Sequence, residues 1–386
     1  MSSIQNRSLE SARYHYYFLL AWFACRVCST STPRPVRVLF LSDQISRTNE
    51  LQFSPFFWFR KALAQQAGFV FKASRLDPKD LPDTSDLRQY DLIALKLQYK
   101  TPPVVAETIA EHLALHKAAA TKLTYFDGID DLCILWPSVL EHVDFYMKRH
   151  VFRDRSLYLK GHVGSTNLTE HVFRAHGAGA LNGDSVARGK VPSMHLHKII
   201  AGLTFGMDEW ALRLHEETPK ASLATERPHD VVCRADIPDN WMGYLRRPIG
   251  PVMERLRAKG LNVITPEKRV SREEFYQEMA SAKIYISPFG YGEICGRDYE
   301  CAILGSLLIK PDMGHAEAYP DIYRPYETYV PVAWDFADLE EKVEHYLNNP
   351  EERLRITANA RAVLDEAYSE EWFVDHVRAF RKKTGL

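Results

Sequence analysis

Glu293, Arg297 and Glu300 stand at i, i+4 and i+7 in the segment SPFGYGEICGRDYECAILGSLLIKPD, residues 287–312. That spacing puts all three on one face of a helix. Carboxylates accept hydrogen bonds from sugar hydroxyls, two at once from a vicinal diol, and an arginine fits phosphate oxygens. Pro288, Gly290 and Gly292 come just before; they end a strand sharply and let a ligand approach the backbone. The pattern predicts a helix that begins near Glu293 and stops at Gly305. Its unpaired N–H groups and positive dipole end would make a seat for a diphosphate. Diol acceptors and phosphate donors on one helix are the set that a nucleotide-sugar requires. The competing reading is a solvated helix start with Glu293 and Arg297 as an ordinary salt pair.

Other chemistry-bearing residues are more scattered. Arg234 ends a strand, and Arg246 and Arg247 lie on the helix after it; each is either a diphosphate ligand or a surface charge. Asp127, Asp130 and Asp131 in FDGIDD could supply a general base for an acceptor hydroxyl, and a polar turn capping a helix explains them equally well. Arg153–His162 concentrates cations that would suit an anionic acceptor. His195 and His197 in MHLHK alternate as on a strand, but no nearby carboxylate completes a metal pair. Cys25 and Cys28 form a lone C-x-x-C without the two further ligands zinc needs. No Asp-x-Asp pair is present, so the expected metal is none and the expected cofactor is none beyond a co-substrate. The glycine-rich stretch His176–Lys190 contains G-x-G but follows no clear strand, which favours a mobile loop over a dinucleotide fingerprint.

The elements that must position these groups alternate strand and helix. VRVLFLS (36–42), FVFKA (69–73), YDLIALKLQ (90–98), KLTYFDG (122–128) and DFYMK (144–148) read as strands, apolar enough to be buried on both faces. A helix follows from Ser54, with Pro55 in its first turn and Gly68 beyond its end. The winding restarts with DVVCRA (230–235), LNVIT (261–265), KIYIS (283–287), SLLIK (306–310) and TYVPV (328–332). Helices are expected over Trp241–Lys259, over Ser271–Ala282 behind a capping box of Ser271 and Glu274, and over Asn348–Glu366. This predicts an α/β fold of two Rossmann-like βα-wound domains facing across a cleft, with ligands beyond the carboxyl ends of the strands. The expected domains are 35–222 on the acceptor side and 223–386 for the donor, joined near 216–228.

The chain has 386 residues, 46% hydrophobic and 26% charged, with a formal net charge of -1, which excludes the basic field of a nucleic-acid binder. Six cysteines are too few for a disulfide framework in a chain this long. Residues 1–34 form an extension. Within it Tyr16–Cys25 is an apolar run of ten residues flanked by Arg7, Arg13 and Arg26, about half the ~20 a spanning helix needs. It fits a signal-peptide core, an interfacial anchor or a helix packed on the domain, so a cytoplasmic location with peripheral membrane association stays open. STSTPRP (29–35) reads as a linker. Sequons at Asn6 and Asn167 matter only in a secreted chain.

The 287–312 stretch resembles the donor-binding motif of two-domain GT-B glycosyltransferases, the "glycosyl transferases group 1" type and its spore-protein-like relatives. ECAILGSLLIKPD fits the second part of that motif, which implies that Glu300 binds the nucleotide ribose. The resemblance spans about residues 228–368 and reaches the first half only through architecture. It implies a metal-independent, hexosyltransferase-like enzyme of polysaccharide biosynthesis, with a nucleotide-sugar donor and a saccharide or glycolipid acceptor. It also implies that the last helix, around Trp372–Arg381, packs back on the first domain. With the residues read above, the candidate donor set is Arg234, Gly290, Gly292, Glu293, Arg297 and Glu300, and the candidate catalytic carboxylates are Glu293 and Asp127. One departure stands out: the family places seven residues between its glutamates, whereas six separate Glu293 from Glu300, and Gly292 occupies the first glutamate's place. A sugar-nucleotide epimerase of the same architecture and a non-catalytic glycan- or nucleotide-binding protein are the alternatives.

Overall fold

A computed structural model describes residues 34–43, 52–181, 189–220, 226–266 and 269–386. The apolar run Tyr16–Cys25, the Cys25–Cys28 pair, the Asn6 sequon and most of the linker lie outside the described residues, as do 182–188 of the glycine-rich stretch and 221–225 of the expected junction. The chain divides into two compact units, one of residues up to Phe126 with Ser138–Tyr146 and Ser369–Leu386, the other of Asp127–Pro137 and Met147–Tyr368. This division follows packing whereas the expected domains followed winding, and residues 147–222 lie with the second unit.

In the first unit β1 (Val36–Ser42), β2 (Phe69–Arg75), β3 (Leu92–Lys96) and β4 (Lys122–Asp127) pair in parallel in the order β2-β1-β3-β4. Every residue of β3 is buried, as a central strand covered on both faces must be. Phe40 packs its ring within 4.5 Å of Phe53 and 5.5 Å of Phe56 and Phe71. The helix expected from Ser54 is broken: Ser54–Trp58, Arg60–Ala62 and a π turn over Leu63–Ala67 follow one another. Gly68 then closes it at φ +71°, a left-handed conformation that glycine adopts without penalty. The closing helix Glu370–Thr384 belongs to this unit, with Phe373 stacked on Phe59 at 4.6 Å.

Next along the chain come the short strands β5 (Phe145–Lys148), β6 (His150–Phe152) and β7 (Ile199–Ala201). The second unit is built on β8 (His229–Val232), β9 (Val263–Ile264), β10 (Ala282–Ile286), β11 (Leu307–Pro311) and β13 (Val330–Val332). These pair in parallel in the order β13-β11-β10-β8-β9, with β10 central. Ile284, Ile286, Leu307 and Ile309 carry the core, against Val252 and Leu256 from the helix Ile249–Ala258. β12 (Ala316–Ala318) pairs antiparallel with β6, Ala318 opposite His150 and Ala316 opposite Phe152.

The helix expected over Trp241–Lys259 is two helices, Trp241–Arg246 and Ile249–Ala258, parted at Pro248, which has no N–H to donate. The expected Ser271 cap is present, its hydroxyl accepting the Glu274 N–H at 3.0 Å. The alternation of His195 and His197 is not a strand: Ser193–Lys198 is a 3-10 turn behind Pro192. Three residues per turn send positions i and i+2 to different faces.

Candidate functional site

Beyond the carboxyl end of β10 the chain runs through an irregular loop, Ser287–Cys295, into the helix Gly296–Leu304. The helix therefore starts three residues later than expected. Asp298 explains the start, because its carboxylate takes the Cys295 N–H at 3.0 Å and caps the first turn. Glu293 consequently stands in the loop, and the expected helical face of Glu293, Arg297 and Glu300 does not form. Asp298 is itself fully buried: it accepts from Tyr323 Oη at 2.8 Å and from Ser287 Oγ, and pairs with Lys310 Nζ at 3.1 Å. One of the charges at the helix head is thus framework.

Arg297 lies beside this frame. Its Nε donates to Ser287 Oγ at 2.8 Å and its Nη2 to the Pro288 carbonyl. Arg246 reaches the same loop from the helix Trp241–Arg246, with Nε on the Phe289 carbonyl at 2.9 Å and Nη1 on the Asp236 carbonyl at 2.8 Å. Burial lowers the Arg246 pKa, and the neighbouring Arg297 charge lowers it further. Among the described residues Arg246 Nη2 and Arg297 Nη1 have no partner, and no carboxylate lies within ion-pair distance of Arg297. A Cβ on Gly290 would lie 4.0 Å from Arg246 Nη2, so the glycine borders the unengaged donors. Two like charges held together by carbonyls can accept an anion.

The remaining candidates separate. Glu300 is 9% exposed and accepts from Tyr276 Oη at 3.0 Å; burial raises its pKa and the tyrosine opposes the rise. Arg234 is committed to Glu278, Nε to Oε2 at 2.6 Å. Arg247 sits 3.4 Å from Asp239. Asp127 is fully buried, with Ile129 N–H at 2.9 Å, Leu135 N–H at 3.2 Å and Lys148 Nζ at 3.6 Å, so it holds the turn after β4. Both arginines of 153–162 are engaged within their own unit: Arg153 donates to the Gly314 and Ala316 carbonyls, and Arg155 pairs with Glu317 at 2.7 Å.

Gly292 explains the shifted glutamate. A Cβ there would lie 1.6 Å from the Asp130 carbonyl oxygen, so no side chain fits, and the carboxylate appears one position later at Glu293. That side chain turns inward to zero exposure. Its Oε1 accepts from Asn167 Nδ2 at 2.5 Å, with His150 Nε2 3.8 Å from Oε2 and His315 Nε2 3.7 Å from Oε1. Burial alone would raise the carboxyl pKa, but the two imidazoles hold it far below the usual range. Asn167 of the second sequon is engaged here. His150, His315 and Asn167 escaped the sequence reading; the available signal was that His315 falls just past β11, where a parallel sheet binds ligands. Among the described residues no group of three or more His, Cys, Asp or Glu could hold a metal ion, and no helix is long and apolar enough to cross a membrane.

Residues 239–378 match the family described as "Glycosyl transferase-like". No curated protein sequence matches the chain. Among solved structures, the trehalose 6-phosphate synthase of Burkholderia multivorans is similar at a TM-score of 0.50 and 9% identity, covering 91% of this chain and 97% of that one. Anabaena HepE in complex with UDP-glucose has a TM-score of 0.45, 11% identity and coverage of 90% and 99%. UDP-GlcNAc 2-epimerase from Neisseria meningitidis, bound to UDP-GlcNAc, has 0.42, 11%, 89% and 100%. The likeness to the synthase shows the fold: two Rossmann-like domains of the GT-B type, as the resemblance implied.

Proposed function

We propose that this chain, whose residues 239–378 match the glycosyl transferase-like family, moves a hexose from a nucleotide-sugar donor to a hydroxyl of a saccharide or glycolipid acceptor. The observation that carries the reading is the pair of buried Arg246 and half-buried Arg297, held on the carbonyls of one loop with donors to spare. In this reading they neutralise the leaving diphosphate without a divalent cation, and Gly290 lets it approach. Glu300, in the next turn, takes the ribose diol. Arg234, tied to Glu278, contributes charge only from behind. The acceptor belongs to polysaccharide or glycolipid synthesis in the cytoplasm, at a membrane surface if the Tyr16–Cys25 run anchors the chain.

Calorimetric titration of the full chain with a nucleoside diphosphate, with and without a chelator, tests the site. Binding should survive chelation and weaken at least ~10-fold in Arg297→Ala, since a charged hydrogen bond contributes ~1.5–3 kcal/mol. Complete loss on chelation would overturn the metal-free site. A panel of nucleotide-sugars, with and without saccharide acceptors, tests the reaction. Nucleotide release that needs an acceptor supports transfer, whereas an epimerised sugar without release would replace it.

A further inference from the structure

At Glu293 four polar side chains converge, and the Asn167 Nδ2–Glu293 Oε1 hydrogen bond leaves most of their polar atoms unsatisfied. Glu293 Oε2, both nitrogens of His150, His315 Nε2 and Asn167 Oδ1 are buried and unpartnered. An unsatisfied buried polar atom costs ~1–3 kcal/mol, so the cluster works against stability and calls for a reason other than packing. The geometry that maintains it is specific: in the β6–β12 ladder His150 stands at one end, opposite Ala318, and His315 just before the other end, its carbonyl taking the Arg153 N–H at 2.8 Å, and the Glu293 carboxylate lies between their side chains, next to the Gly292–Asp130 contact.

The two histidines differ. His150 has no exposure, whereas the His315 side chain keeps 22%. His315 Nε2 is the buried nitrogen and faces the carboxylate, which leaves Nδ1 on the open edge. The ring lies edge-on to Trp334 at 5.2 Å. An imidazole with a buried carboxylate at one nitrogen and an open second nitrogen is the arrangement of a general base. The carboxylate holds the tautomer and balances the imidazolium that forms. The 3.7 Å separation is long for a hydrogen bond and of the kind that tightens on substrate binding.

We propose that His315 is the general base of the transfer, with Glu293 as the carboxylate that positions it; this rests on the transferase reading above. The acceptor hydroxyl gives its proton to Nδ1 as its oxygen bonds the anomeric carbon of the donor. The bond from that carbon to the phosphate oxygen breaks, and its electron pair leaves with the nucleoside diphosphate. The proton passes from Nδ1 to solvent after product leaves. Glu293 is therefore a positioning residue rather than a nucleophile.

The pH profile of kcat/KM tests this. The groups around His315 are Glu293, with His150 behind it; Arg153, bound to the Gly314 and Ala316 carbonyls; Asp312, whose carboxylate takes the Gly314 N–H at 3.3 Å; and His171, across Trp334. The wild-type acid limb should follow one group. His315→Gln should lower kcat by ~10²–10⁴ and abolish that limb, with nucleoside diphosphate affinity and donor KM unchanged. Glu293→Gln, checked for fold by its circular dichroism spectrum, should keep the limb and lower kcat with donor KM unchanged, because the imidazole loses the carboxylate that orients it. An acid limb that persists in His315→Gln, or a kcat within ~3-fold of wild type, overturns the proposal. A wild type that transfers no sugar to any acceptor removes the transferase reading and this proposal with it, a result distinct from a transferring wild type whose variant is unaffected.

Discussion

Gly292→Ala should destabilise the second unit, and the size of the effect follows from the contact. The new Cβ would meet the Asp130 carbonyl oxygen at 1.6 Å, its carbon at 2.2 Å and the Asp131 nitrogen at 2.8 Å. All three are backbone atoms, so no rotamer change relieves the clash. The opposing turn is itself pinned: Asp131 accepts the Cys133 N–H at 2.8 Å, and Asp127 accepts two further N–H groups. One of the two segments must therefore move. Overpacking of this kind costs ~1–3 kcal/mol. At ~2–4 °C per kcal/mol for a unit of this size, Tm should fall by ~2–12 °C. Gly250→Ala is the matched control: its Cβ meets nothing within 4 Å, in the helix Ile249–Ala258. Alanine there meets only the restriction set by the following Pro251, so its Tm should shift less than that of Gly292→Ala. Differential scanning calorimetry of the two variants beside wild type decides the matter. If Gly292→Ala melts with wild type, the loop and the Asp130 turn are not in contact, and the explanation of the displaced glutamate fails.

Glu300→Gln should leave Tm near the wild-type value, because the amide oxygen still accepts from Tyr276, while nucleoside diphosphate affinity drops ~10-fold or more, by the ~1.5–3 kcal/mol of a charged hydrogen bond. Unchanged affinity in the folded variant would remove Glu300 from the donor site. Stability should also fall in acid through His376 of the first unit, whose pKa burial pushes down to about 4. The unfolded chain protonates first, near ~6.5, so the contribution is complete above that pH and is lost as pH falls toward about 4. It amounts to ~3 kcal/mol, read as the difference between wild-type and His376→Gln denaturant midpoints at pH 7 and pH 4; equal differences at the two pH values would refute it.

The sheets were legible because buried parallel strands are short apolar runs bounded by breakers, and β1, β3, β10 and β11 are all of that kind. Gly68 and Gly305 marked helix ends because both adopt positive φ. Misreadings arose where a local pattern competed with a long-range contact. The i, i+4, i+7 spacing from Glu293 is a true helical period, yet Asp298 caps Cys295 and sets the helix start beyond Glu293. The partners that hold Glu293 are distant in sequence, Asn167 and His150 on one side and His315 on the other. No window of residues contains that juxtaposition; it exists only once β6 and β12 pair.

The charges at the head of the Gly296 helix therefore do not share one purpose. Asp298 is spent on structure: it caps the helix and pairs with Lys310, and both side chains are without exposure. Arg297 is held in place by a serine hydroxyl and a carbonyl but matched by no carboxylate among the described residues, as a cation awaiting an anionic ligand should be. Glu300 keeps one hydroxyl partner and a sliver of exposure, enough to hold its orientation and still meet a diol. Glu293 has left the helix altogether to stand behind a histidine. Sequence spacing groups Glu293, Arg297 and Glu300 as one motif; the hydrogen bonds make Asp298 a structural anchor and separate Glu293 from the helix, and the reading proposed above then gives Arg297 and Glu300 the ligand and Glu293 the positioning of His315.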